Sequence, residues 1–93
     1  MKLNVFLTQK AKRAFDGLTR AERAKALRFV NYLEVGNEKS VKSTKSPAAK
    51  DLYVGKLSSR VRMIYRKSED QYEIIDFVNV DQMKVLANMS KGA

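Results

Sequence analysis

The sequence contains no cysteine and no histidine, and these two absences remove several kinds of chemistry. Without cysteine there is no disulfide, no thiolate nucleophile and no cysteine-based zinc site. Without histidine there is no imidazole for acid–base catalysis or metal ligation. Any proton transfer must therefore use other side chains, and we expect neither a metal nor a cofactor.

Long apolar segments are also missing, since no run approaches the ~18–20 residues that a membrane span needs. The first four residues show no apolar core followed by a small-residue cleavage site, as a signal peptide would. We therefore expect a cytoplasmic protein. The 93 residues, 44% of them hydrophobic, are enough for one folded domain but too few for two, so we expect a single domain over 1–93.

Positive charge, in contrast, is abundant and unevenly placed. The chain has 19 Lys and Arg residues against 10 Asp and Glu residues, a net charge of +9. Residues 39–67 hold nine basic residues and one acidic residue, whereas residues 68–93 have a net charge of −3. Such concentration favours a binding site for a polyanion, with nucleic acid or an acidic protein ahead of a membrane surface.

Hydrophobic periodicity predicts a strand and two helices in the first part of the chain. Apolar residues alternate over 2–7, which indicates a strand, and recur at helical spacing over 9–18. A second helix is expected over 20–35, where Thr19 and Glu22 match the capping-box pattern. The short connection between the helices predicts an antiparallel helical hairpin.

The segment 37–50 is rich in serine and lysine and contains the single proline, which predicts a basic flexible loop. Its lysines recur about every third residue. We interpret them as phosphate-attracting groups of a nucleic-acid-binding surface. The candidates are Lys39, Lys42, Lys45 and Lys50.

Three strands are predicted next, over 52–57, 60–66 and 72–80, and their short links favour an antiparallel meander. A last short helix is expected after Asp81. The predicted fold is α+β, in the order β-α-α-β-β-β-α, with the helical hairpin on one face of the antiparallel sheet. The other face is then free to bind.

The middle strand is predicted to have an apolar face and a basic face. Val61, Met63 and Tyr65 share the first, and we expect Tyr53 and Tyr65 to be core or rim packing residues instead of base-stacking platforms. The basic face is assigned three arginines and, in the simplest register, Lys56 of the preceding strand. The arginines are Arg60, Arg62 and Arg66.

The chemistry of this basic face suits phosphate groups. The planar arginine fork binds phosphate in a bidentate manner, and lysine acts as a point charge. RNA cleavage by a 2′-hydroxyl needs a base, a group that stabilises the phosphorane charge and a leaving-group acid, and lysine and arginine can supply the first two. Glu73 and Asp76 are expected on opposite faces of one strand, which argues against a carboxylate pair.

The chain resembles the RelE/ParE superfamily of toxins from bacterial type II toxin–antitoxin systems. The likeness lies in the segment Leu52-Tyr53-Val54-Gly55-Lys56-Leu57 and in the two strands that follow it. RelE-like members cut mRNA in the ribosomal A site, and ParE-like members inhibit DNA gyrase. The resemblance implies an antitoxin partner with an acidic, partly disordered segment, and it matches Lys56 and Arg62 to the family's strand lysine and arginine.

Three functions follow as hypotheses. The first is a ribosome-dependent mRNA endonuclease with Lys56 as the base and Arg62 as the phosphate stabiliser, assisted by Arg60, Arg66 and the loop lysines. The second, an alternative, is a ParE-like gyrase inhibitor without catalysis, which gains support because residues 79–84 lack the family's usual His-Arg or Lys-Arg signature. The third is a non-toxic basic nucleic-acid-binding module.

Overall fold

The structure is a computed structural model that describes residues 3–46 and 51–81. Five strands form one sheet in the order β1-β5-β4-β3-β2, and two helices pack on one face of it. In chain order the elements are β1 (Asn4–Leu7), α1 (Gln9–Asp16), α2 (Arg20–Glu34), a 3₁₀ helix (Glu38–Val41), β2 (Ser43–Lys45), β3 (Leu52–Lys56), β4 (Val61–Lys67) and β5 (Gln71–Asn79). The predicted α+β class and the order of the predicted elements up to β5 are confirmed. The helix expected after Asp81 lies almost wholly outside the described residues.

Thr8 connects the start of α1 to the middle of the sheet. Its hydroxyl oxygen accepts a hydrogen bond from the amide of Ala11 at 3.0 Å, which caps the helix. The same hydroxyl donates to the carbonyl oxygen of Ile75 at 2.8 Å. Strand β1, which runs into this cap, pairs in parallel with β5. The first strand and the first helix are therefore both anchored on β5.

Helix α2 begins with the predicted capping box. The amide of Glu22 donates to the hydroxyl of Thr19 at 3.2 Å, and the amide of Thr19 donates to the carboxylate of Glu22 at 2.9 Å. The helix then buries Ala26, Phe29 and Leu33 against the sheet. It ends at Glu34, before Gly36, whose φ of +77° is a conformation that glycine adopts without steric cost.

The segment predicted as a flexible loop contains two elements that the sequence did not indicate. A 3₁₀ helix buries Val41 completely, and strand β2 pairs antiparallel with β3 at the edge of the sheet. Lys42 joins the two elements with a φ of +53°. The prediction was wrong here because a short edge strand can form through main-chain hydrogen bonds and needs no apolar alternation.

Strands β3, β4 and β5 form the predicted antiparallel meander, with one irregularity in register. Ile64 lies opposite Asp76, and the next residue of β4, Tyr65, lies opposite Ile74. Ile75 is therefore an extra residue in β5, as in a β-bulge. The bulge changes which side chains of β5 share a face, with consequences for the acidic residues described below.

The hydrophobic core lies between the helices and one face of the sheet. Met63, Tyr65 and Ile74 are fully buried there, and the rings of Phe15 and Phe77 lie 6.2 Å apart between α1 and β5. The predicted apolar face of β4 is confirmed. Among the described residues, no helix has the length and apolarity needed to cross a membrane.

Candidate nucleic-acid interface

Lys56 and Arg62 are direct partners in the register of β3 and β4. Directly opposed residues of an antiparallel pair project to the same face, with Cβ atoms about 4.5–5.5 Å apart. Their face is the one opposite the helices, because the neighbouring residues Gly55 and Met63 are buried. The predicted register is confirmed, and it brings the two candidate catalytic residues together.

Arg62 is held in place by the turn that precedes its strand. Its Nη1 donates to the carbonyl oxygen of Ser58 at 2.6 Å and to that of Val61 at 3.3 Å. The hydroxyl of Ser58 in turn accepts from the amides of Arg60 and Val61. Within the described ranges no carboxylate forms an ion pair with Arg62. The guanidinium is therefore oriented without being neutralised.

Arg66 lies on the same face as Arg62, four residues further along β4. This separation is about 13 Å at ~3.3 Å per residue. Its Nη1 lies 3.8 Å from a carboxylate oxygen of Glu73, and both side chains are about half exposed. An exposed ion pair of this length contributes little to stability, so a phosphate group can displace the carboxylate at small cost.

Arg60 lies just before β4, and its carbonyl oxygen accepts a hydrogen bond from the amide of Val80 at 2.8 Å. It lines a cavity of about 440 Å³ beside the helices, together with Glu22 and Phe77. Strand β4 itself therefore carries two of the three predicted arginines, Arg62 and Arg66. A nucleic-acid contact of Arg60 stays a prediction.

Aliphatic side chains separate the two arginines on the open face. Val54 and Ile64 face each other between them, and Val78 lies opposite Arg62 on β5. All three are partly exposed. The face therefore combines cations for phosphate groups with apolar surface for sugars or bases, which is a mixture suited to single-stranded RNA.

The two acidic residues of β5 lie differently from the prediction. Glu73 lies opposite Arg66 and Asp76 opposite Ile64, so the bulge at Ile75 places both on the open face. The expectation of opposite faces was wrong because it assumed an unbroken two-residue period. Asp76 forms an ion pair with Lys10 at 3.4 Å, and Glu73 pairs with Arg66. In the part of the chain that the structure describes, no group of three potential metal-ligating side chains is present.

The predicted loop lysines are distributed over three structural contexts. Lys39 lies on the 3₁₀ helix, Lys42 at the junction that follows it, and Lys45 on β2, and all three are exposed. Lys50 lies outside the described residues. Lys42 therefore lies beside the end of β3 that carries Lys56, whereas Lys45 pairs with Tyr53 near the start of that strand.

A small basic cavity at this edge contains residues that sequence reasoning missed. Lys25 and Arg28 of α2 line it together with Lys42 and Lys56. The signal that could have found them is their i, i+3 spacing on the helix face that also carries Phe29 and Tyr32.

A partly buried polar cluster lies on the opposite, helix-covered side of the sheet. The carboxylate of Glu38 accepts hydrogen bonds from Tyr65 at 3.0 Å, from Tyr72 at 3.1 Å and from Lys67 at 2.8 Å. Since the Tyr65 hydroxyl gives its one proton to this carboxylate, the Ser43 hydroxyl, 2.7 Å away, donates to Tyr65. The cluster fastens the 3₁₀ helix and β2 to the central strands.

Burial and hydrogen bonding set the protonation of this cluster. Burial alone would raise the pKa of Glu38, but hydrogen bonds from Lys67, Tyr65 and Tyr72 lower it below its ordinary value. Burial raises the pKa of Tyr65, assisted by the Glu38 carboxylate. The Tyr65 ring also stacks on Tyr53 at 5.5 Å. Tyr65 is therefore a neutral packing residue at physiological pH, as predicted.

Comparison with known proteins gives a fold but no close relative. No protein-family model and no curated protein sequence matches the chain. Among solved structures, a chain of the archaeal RelE–RelB complex from Pyrococcus horikoshii OT3 superposes with a TM-score of 0.70 at 21% identity, covering 85% of this chain and 96% of that one. A double arginine-to-alanine variant of E. coli toxin RelE gives a TM-score of 0.70 at 19% identity, covering 98% and 97%.

A third structure extends the similarity to a more distant sequence. A chain of the E. coli DinJ–YafQ toxin–antitoxin complex superposes with a TM-score of 0.71 at 7% identity, covering 85% of this chain and 93% of that one. Nearly the whole of each matched chain is covered. The fold of this protein is therefore that of the RelE-like toxins.

Proposed function

We propose that the chain is the toxin of a type II toxin–antitoxin system and acts as a ribosome-dependent mRNA endonuclease. The observation that carries this proposal is the placement of Lys56 directly opposite Arg62 on the open face of a RelE-like sheet. The orienting bonds from Arg62 to the turn and the aliphatic surface around it support the same function.

The chemistry follows from these two side chains. Lys56, in its neutral form, takes the proton of a 2′-hydroxyl, and the 2′-oxygen forms a bond to the adjacent phosphorus. Arg62 stabilises the additional negative charge of the phosphorane through its guanidinium donors. The bond from phosphorus to the 5′-oxygen then breaks, that oxygen takes a proton from solvent, and a 2′,3′-cyclic phosphate and a 5′-hydroxyl remain.

One observation favours the gyrase-inhibitor alternative. Among the described strands, none places a tyrosine on the open face beside Lys56 and Arg62, since Tyr65 and Tyr72 are buried on the other side and hydrogen-bonded to Glu38. The described part of the sheet thus supplies no tyrosine as a leaving-group acid, and the tyrosine that lines a cavity with Lys56 is Tyr32 of α2. A protein that only binds its target needs no such acid, so the test of function must separate cleavage from binding.

Induced expression in a bacterial host provides that test. Rapid arrest of translation with cleaved transcripts supports the endonuclease, whereas filamentation with DNA damage and intact transcripts supports gyrase inhibition. Harmless expression argues for a non-toxic nucleic-acid-binding module and against both toxin functions. The variant Lys56→Ala with Arg62→Ala should be folded and harmless, and Lys12→Ala, an exposed change on α1, should remain toxic.

An antitoxin partner belongs to the same proposal. Two of the similar structures are toxin–antitoxin complexes, and the net charge of +9 suits an acidic partner segment. A short acidic reading frame beside this gene should encode it. Co-expression should give a stable complex that restores growth, and failure of the encoded partner to bind would contradict this part of the proposal.

A further inference from the structure

A cavity of about 190 Å³ opens at the sheet edge, where β2 begins and β3 ends. It greatly exceeds the about 10–15 Å³ that one water molecule requires. Four of its seven lining residues are cationic and none is acidic. The lining residues are Lys25, Arg28, Phe29, Tyr32, Ser40, Lys42 and Lys56.

Separate parts of the chain build this cavity. Helix α2 contributes one face, because Lys25, Arg28 and Tyr32 follow the i, i+3, i+7 spacing of neighbouring helical residues. The buried ring of Phe29 fixes that face against the core. Lys42 enters from the left-handed junction after the 3₁₀ helix. The cations are thus brought together by the tertiary fold and not by a local charge run.

The charge of the cavity is not balanced by the protein. Among the residues described, none of the four cations forms an ion pair with a carboxylate. Like charges held together in this way disfavour the folded state unless an anion binds between them. The hydroxyls of Tyr32 and Ser40 add neutral donors, and the fork of Arg28 matches phosphate oxygens. A phosphate group satisfies all of these features.

Lys56 connects the cavity to the candidate catalytic pair. It lines the cavity and also lies opposite Arg62, one strand spacing of about 4.8 Å away. We propose that the cavity binds a backbone phosphate of single-stranded RNA, the neighbour of the phosphate that Arg62 contacts. Only the identification of the ligand as RNA rests on the proposed function. The phosphate-binding property stands on the cavity itself.

The test is an NMR titration of the ¹⁵N-labelled chain at low salt with inorganic phosphate and, separately, with a 5′-phosphorylated RNA dinucleotide. Inorganic phosphate should change the chemical shifts of the Ser40 and Lys42 amides, and these changes should reach a plateau as the site fills. The dinucleotide should bind more tightly and also shift Arg62. Arg28→Gln should weaken phosphate binding about tenfold, as expected for the loss of charge-assisted hydrogen bonds. Lys12→Gln, with the same change of charge on α1, should leave it unchanged.

The outcomes separate the cavity from the proposed function. Equal weakening by Arg28→Gln and Lys12→Gln, or shifts that do not saturate, would show diffuse attraction only and overturn the site. Phosphate binding without tighter dinucleotide binding would reject RNA as the ligand. Absence of ribosome-dependent cleavage with an intact phosphate titration would overturn the endonuclease and leave the phosphate site in place.

Discussion

Gly55 and Val41 approach so closely that a Cβ atom on Gly55 would lie 2.9 Å from the Cγ1 atom of Val41. Both residues are buried, and this contact seats the 3₁₀ helix on the end of β3. Glycine is therefore required here by packing, since ordinary side-chain contacts are longer. The segment between α2 and β2 follows the sheet because this one position has no side chain.

We expect Gly55→Ala to lower the free energy of unfolding by about 1–3 kcal/mol, the usual cost of overpacking a core. Urea denaturation measures this change. When Val41 is already replaced by alanine, the Cγ1 atom that would clash is absent. Adding Gly55→Ala to Val41→Ala should therefore lower the free energy of unfolding by less than Gly55→Ala does in the unmodified protein. Gly17→Ala is the matched control, because a Cβ there meets its nearest atom at 3.5 Å. Equal effects at both glycines would contradict the packing argument.

Arg62→Lys should reduce ribosome-dependent cleavage about 10²–10³-fold, because lysine keeps the charge but loses the oriented fork that stabilises the phosphorane. The far-UV circular dichroism spectrum should be unchanged, since the side chain lies on the open face. The cleavage rate constant at saturating ribosome concentration should fall by a larger factor than the affinity for the ribosome. A loss of affinity with an unchanged rate constant would make Arg62 a binding residue only.

Glu38→Gln should lower the free energy of unfolding by about 1–3 kcal/mol at neutral pH, since three donors lose a charged acceptor. The folded-state pKa of Glu38 is lowered below its ordinary value of 4.5. Its contribution is therefore present above pH 4.5 and is lost as the pH falls through the folded-state pKa. Urea denaturation at pH values from 7 to 3 should show the free energies of unfolding of Glu38→Gln and of the unmodified protein approaching each other.

Glu69→Gln is the control for this pH dependence. It removes the same charge from an exposed position in the turn between β4 and β5. Its difference from the unmodified protein should be small at every pH. A difference for Glu38→Gln that stays constant down to pH 3 would mean that the carboxylate charge is not the stabilising feature.

Glu73→Gln should strengthen binding of single-stranded RNA up to about fivefold at low salt, because Arg66 loses an exposed ion-pair partner of modest strength. Fluorescence anisotropy with a short labelled RNA measures the affinity. The gain should shrink as salt is raised, since exposed charges are screened. Glu69→Gln changes the net charge equally, and an identical gain there would assign the effect to overall charge.

Much of the fold could be predicted because periodicity records which face of an element is buried. The capping box of Thr19 and the buried face of β4 follow from local patterns alone. Strand β2 could not be found this way, because three polar residues at a sheet edge have no apolar alternation. The pairing of Lys56 with Arg62 was predictable only by assuming the simplest register, which the short turn between the strands favours.

The parts of the interface that were missed depend on tertiary placement. Because of the bulge at Ile75, the β5 residues beyond it project to the face opposite to the one that an unbroken two-residue period predicts. No residue type in β5 indicates that a bulge is present. The basic cavity joins Lys25 and Arg28 to residues that are far away in sequence. To predict such a site, one must know which face of a helix packs beside which edge of the sheet. The distribution of charge along the sequence does not contain this information.

Strand β2 also bears on whether the edge of the sheet can pair with a second copy of the chain. A sheet edge has unpaired main-chain donors and acceptors that can recruit a strand from another copy. This edge strand has only three residues, its Thr44 and Lys45 are exposed, and the left-handed residue Lys42 immediately precedes it. Short length and lysine are protections that natural sheets use against such pairing. The positive charges of Lys42 and Lys45 at this edge should also repel a second copy of the chain.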